Sequence, residues 1–91
     1  MSAITLCLVR KWIAGGDPAA DLKDLNIEPQ LFEEEIESLY SKGFLEKPIN
    51  EILKKPKEIR QAHVFTKKGE RVCNSFSLDK LKYFWKRWGK D

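Results

Sequence analysis

Residues 26–46 read Asn26-Ile27-Glu28-Pro29-Gln30-Leu31-Phe32-Glu33-Glu34-Glu35-Ile36-Glu37-Ser38-Leu39-Tyr40-Ser41-Lys42-Gly43-Phe44-Leu45-Glu46. Pro29 suits a first helical position, where its missing N–H is an orphan anyway, and Phe32, Ile36, Leu39 and Tyr40 then recur at i, i+4, i+7 and i+8 on one face. Gly43 ends the run, because it tolerates the left-handed conformation that closes many helices, and Phe44-Leu45 leaves as an apolar pair suited to opening a strand. The outward face of this helix should carry Gln30, Leu31, Glu33, Glu34, Glu37, Ser38 and Ser41, which makes it acidic.

Upstream, residues 3–14 place Leu6, Val9, Ile13 and either Leu8 or Trp12 in one broad apolar stripe, which predicts a first helix. Gly15-Gly16 stops it. Asp17-Pro18 then supplies an N-cap carboxylate and a first helical residue for a second helix running through Leu25. Only Asn26, Ile27 and Glu28 separate that helix from the Pro29 helix, so the two must cross closely, as in a helix-turn-helix, with Ile27 plugging the turn.

With 91 residues, 42% of them hydrophobic, the chain has material for one small domain with one modest core. Its formal net charge of +3 conceals an asymmetry: residues 1–51 hold five basic against ten acidic side chains and residues 52–91 twelve against four, near −5 and +8. The basic half implies an anionic partner. Cys7 and Cys73 lie far apart with no C-x-x-C, and Cys7 sits in an apolar run, so buried free thiols in a reducing cytoplasm are expected. The apolar run at residues 4–9 is too short for a membrane span, and its positive charges, Arg10 and Lys11, follow it where a signal peptide has them first.

Downstream, Phe65-Thr66-Lys67-Lys68-Gly69-Glu70-Arg71 offers Thr66 as the N-cap of a fourth helix, with Val72, Cys73 and Phe76 as its apolar members. Taken with Glu28-Pro29, Phe32, Ile36, Leu39 and Lys42-Gly43-Phe44-Leu45, this segment resembles the winged helix-turn-helix superfamily, of which MarR-like and PadR-like regulators are familiar members. In that family the third helix opens on Ser-Pro and leaves as Lys-Gly-aliphatic-aliphatic, and a Thr-x-Lys-Gly turn closes the wing. The resemblance spans about residues 3–76. It implies an α+β fold with a three-helix core, a β-hairpin wing and C-terminal helices, organised as a winged-helix domain over residues 1–76 whose third helix would enter a DNA major groove. By that analogy residues 46–65 form the wing. Lys54-Lys55-Pro56-Lys57 would be its tip, since Pro56 cannot donate to a central ladder and the like charges need solvent. Ile59, His63 and Phe65 share one strand parity, which would turn His63 toward the core.

Ser77 reads as the N-cap of a last helix, from Leu78 to about Gly89, within a C-terminal amphipathic segment at residues 77–91. Its apolar residues Leu78, Leu81, Trp85 and Trp88, widened by Phe84, either pack back on helix 1 or form a homodimer seam, with amphipathic binding to a membrane surface a distant third reading. Lys80, Lys82, Lys86, Arg87 and Lys90 fill its other faces.

No enzyme is expected. The single histidine, His63, has no positioned nucleophile or carboxylate partner, and no phosphate-cradling loop, zinc spacing or nucleophile elbow occurs. Glu33-Glu34-Glu35-Glu37 cannot converge on one cation, because consecutive helical residues point about 100° apart. No cofactor or metal is implied. Two functions then compete. The first is a small winged-helix DNA-binding protein, a transcriptional regulator, holding double-stranded DNA phosphates with Lys54, Lys55, Lys57, Arg60, Lys67, Lys68 and Arg71. The second is a protein-interaction adaptor that presents the acidic third helix, with Leu31 among its charges, to a basic partner; glutamates facing a phosphate-lined groove favour this alternative.

Overall fold

A computed structural model describes residues 2–54, 58–59 and 63–88. Among them are six helices: α1 (Ser2–Ile13), α2 (Pro18–Asp24), α3 (Pro29–Ser41), α4 (Ile49–Lys54), α5 (Lys67–Ser75) and α6 (Leu78–Trp88). The centre of the molecule is α1, which packs on α2, α3, α5 and α6. Ile4, Leu6, Leu8 and Val9 are all but fully buried, so residues 4–9 of α1 are covered on every side. A one-sided stripe was expected there; an apolar run interrupted only by Thr5 fits a helix enclosed by its neighbours better.

The entry into α2 and α3 follows the sequence reading. Asp17 Oδ1 accepts from Ala19 N at 3.0 Å, and Pro18 starts α2. Asn26 takes φ 56° to turn the chain, a conformation Asn tolerates better than most residues, and Ile27 is buried under that turn. On α3, Phe32, Ile36 and Leu39 face the core, whereas Tyr40 is exposed and leaves the predicted stripe.

The α+β winged-helix expectation is overturned beyond α3. Where the first wing strand was expected, α4 forms a helix that buries Ile49 and Ile52, an i, i+3 pair. Its first turn is held by contacts that no strand would use. Glu37 Oε1 accepts from Ile49 N at 3.1 Å, and the Pro48 carbonyl accepts from Glu51 N and Ile52 N at 3.1 and 3.2 Å. Strand pairing among the described residues is limited to one isolated antiparallel bridge, Leu45 to Phe65, flanked by Glu46 N donating to Val64 O at 2.7 Å. His63 is exposed instead of core-facing. Lys54, expected at the wing tip, ends α4 instead, while the rest of that tip at residues 55–57 and the return at residues 60–62 lie outside the described residues.

The two motifs that carried the family resemblance meet as one packing junction. Thr66 Oγ1 donates to Gly43 O at 2.6 Å and accepts from Gly69 N at 3.1 Å, capping α5, while Thr66 N donates to Phe44 O at 3.3 Å. Gly43 sits at φ 82°, and a Cβ on Gly69 would lie 2.0 Å from Phe44 O, so both glycines are required by backbone geometry. Lys68 Nζ reaches Lys42 O at 3.4 Å and lies 4.3 Å from the centre of the Phe44 ring. The signature is thereby accounted for by local packing, with no strand pairing among the described residues beyond the single bridge.

Candidate functional site

Four surfaces or clusters bring chemically distinctive side chains together. The first lies on α2 and α3. Leu22, Ile27 and Phe32, all buried, form the floor of a hollow of about 480 Å³, walled by Trp12, Pro18 and Pro29. Its rim carries Lys23, Asn26, Glu28 and Glu33, all exposed. Beside it, Gln30, Glu33, Glu34 and Glu37 from α3 and Ile49 and Asn50 from α4 line an acidic trough. Glu33 belongs to both, so an apolar hollow and an acidic strip form one continuous face.

Of the residues expected on the outward face of α3, Gln30, Leu31, Glu33, Glu34, Glu37 and Ser41 are exposed and Ser38 is half-buried. Leu31 is 44% exposed but lines neither the hollow nor the trough. Glu37 also caps α4, and Gln30 Nε2 donates to Glu34 Oε1 at 3.2 Å. The hollow itself could not be read from the sequence. Its floor comes from two helices and the Ile27 turn, and its wall from the far end of α1.

The second surface is α6, which divides the residues proposed for a dimer seam. Leu81 is buried and Leu78 and Trp85 pack against the core. Trp85 Nε1 donates to Leu25 O at 2.7 Å, and Lys86 pairs with Asp24 at 2.9 Å. The inner side of α6 therefore completes the core of its own chain. Phe84 and Trp88 stay 42% and 59% exposed, joined by Tyr83 at 56%. Phe76, expected as an apolar member of the helix that Thr66 opens, follows the end of α5 and is exposed, lining a small hollow with Lys80, Leu81 and Phe84.

Between these surfaces sits a charged knot. Asp21, 7% exposed, accepts from Lys82 Nζ at 2.6 Å and pairs with Lys11 Nζ at 2.9 Å, tying α6 and α1 to α2. Burial alone would push its carboxyl up, but the hydrogen bonds from Lys82 and Lys11 outweigh burial and hold it below the ordinary carboxylate range. Lys11 is raised in turn by its bond to Asp21. This is a structural ion cluster, closed by its own partners.

The cysteines, far apart in sequence, are brought together where α1 meets α5. Both are buried and free, and the Cys73 thiol is raised because it is hydrogen-bonded to Cys7 and buried. Arg10 Nη1 donates to Asn74 Oδ1 at 3.0 Å beside them.

Of the basic residues expected on phosphate, Lys67, Lys68 and Arg71 lie together on the first two turns of α5. Lys67 and Arg71 are exposed on α5, and Lys68 is held against Phe44 and the Lys42 carbonyl. Lys55, Lys57 and Arg60, like the side chain of Lys54, lie outside the described residues. Among the described residues there is no group of three or more His, Cys, Asp or Glu side chains placed to hold a metal ion, and no helix long and apolar enough to cross a membrane. No family model, curated protein or solved structure matches the chain.

Proposed function

We propose that the protein is a protein-interaction module, working by binding and not by catalysis, which captures a basic segment of a partner on the face formed by α2 and α3. The observation that carries this reading is the sharing of Glu33 between the apolar hollow and the acidic trough. An apolar side chain of the partner enters the hollow and is removed from water, while its Lys or Arg residues run along Glu33 and Glu34. The carboxylates steer the encounter and fix the register. They also repel duplex DNA, whose phosphates would line the groove entered by α3.

The test uses a labelled peptide with several Arg and Lys residues around a single Phe, titrated by fluorescence anisotropy in parallel with random duplex DNA. Peptide binding that weakens with salt and is lost in a Glu33→Lys/Glu34→Lys variant is expected. Binding to duplex with no binding to the peptide would overturn the reading in favour of nucleic acid.

A further inference from the structure

We propose that one occupant of the α2–α3 hollow is a second copy of this chain, which inserts the exposed aromatic face of its α6. The proposal rests on the interaction reading above and names a partner for that same face.

The chain carries both halves of a complementary pair. Tyr83, Phe84 and Trp88 form a prearranged ring cluster on α6: Phe84 and Trp88 stack with centroids 5.0 Å apart, and Tyr83 meets both edge-on at 5.6 and 6.4 Å. Rings already held by one another lose little further freedom on docking. The charges around the cluster are mainly basic, with Lys80 and Arg87 exposed and the Arg87 guanidinium 5.5 Å from the Trp88 ring. Lys82 and Lys86 are not part of this supply, because Asp21 and Asp24 engage them. The α2–α3 hollow has an apolar floor and a rim on which Glu28 and Glu33 outnumber Lys23, and at about 480 Å³ it has room for a large aromatic side chain.

Two features separate this arrangement from the others that exposed aromatics allow. Within one chain none of the three rings lines the hollow, and α6 is pinned elsewhere by Trp85 on Leu25 O and by Lys82 on Asp21. A symmetric contact of α6 on α6 would bring Lys80 and Arg87 toward their own copies, whereas docking on α2–α3 sets them against carboxylates. The contact is therefore between unlike surfaces. It either closes reciprocally as a dimer or continues from copy to copy.

Sedimentation velocity with two surface variants tests this. Phe84→Ser/Trp88→Ser removes the inserting face, and Glu28→Lys/Glu33→Lys removes the receiving one. All four residues are exposed, so both variants should keep the wild-type circular dichroism and melting temperature. The wild type is expected to associate with rising concentration, and each variant alone to associate at least about tenfold more weakly. An equimolar mixture should recover one-to-one pairs, since one intact inserting face and one intact hollow remain. A mixture that stays as weakly associated as its components, or a wild type that is monomeric at high concentration, would overturn the proposal. In either case the basic peptide separates the two ideas: if it still binds at Glu33 and Glu34, the interaction reading stands and only self-docking falls; if it does not, both fall.

Discussion

Helices α3 and α6 share a plan on their inner sides and differ on their outer ones. Each presents large apolar residues to α1 and its neighbours, Phe32, Ile36 and Leu39 from α3 and Leu81 and Trp85 from α6. Outside, α3 shows carboxylates beside an apolar hollow, and α6 shows rings among cations. The lysines of α6 also divide: Lys82 and Lys86 close on Asp21 and Asp24, while Lys80 is exposed. Side chains engaged within the chain describe its stability. The exposed remainder describes what it can meet.

If that division is right, substitutions should sort by side. The largest loss of stability is expected for Leu39→Ala, about 2–5 kcal/mol, because Leu39 is fully buried and its removal leaves a cavity. Denaturant unfolding checks this, and a loss comparable to that of a surface change would break the inner half of the comparison. Gly69→Ala comes next, at about 1–3 kcal/mol, as its Cβ must displace the Phe44 carbonyl at the α5 junction. This variant sharpens the point that the Thr66-Gly69 motif serves packing.

Asp21→Asn is expected to cost about 1–2 kcal/mol, since it leaves Lys82 and Lys11 without their shared carboxylate. The pH dependence has a definite sign. A carboxyl held low by its lysines contributes stability that is fully present above its ordinary value of 3.8 and lost as pH falls through the lower folded value. Acid unfolding of the wild type should therefore be steeper below pH 3.8 than that of Asp21→Asn. Smallest of all, Tyr83→Ser on the outer side of α6 should change stability by under about 0.5 kcal/mol. A larger loss would mean that the exposed rings belong to the fold.

Much of the first half of the molecule is legible in the sequence because its signals are local. Asp17-Pro18, the Pro29 start, the buried Ile27 and the Gly43 exit each act within a few residues of where they stand. Thr66 as the cap of α5 and the extent of α6 are legible for the same reason. The segment after Leu45 is not, because Ile49 and Ile52 are too few to set a period, and the group that caps α4 is Glu37, twelve residues away on another helix. A family likeness then filled the gap with a hairpin.

The candidate site is only half legible. The acidic outer side of α3 follows from helical spacing, but the hollow beside it needs Trp12, Leu22 and Phe32 to be placed in space. The same holds for the dimer seam proposed on α6. Spacing put Leu81, Trp85, Phe84 and Trp88 on one stripe, and only the packing of Trp85 on Leu25 O divides buried from exposed.

The central claim is that the α2–α3 face is where a partner lands, and a heteronuclear NMR titration of the protein with the basic, Phe-anchored peptide tests it most directly. The account predicts the largest shift changes at Leu22, Ile27, Phe32, Glu33 and Glu34, with the Lys67 and Arg71 amides nearly unmoved. Changes confined to Lys67, Lys68 and Arg71, or produced by random duplex DNA and not by the peptide, would contradict it.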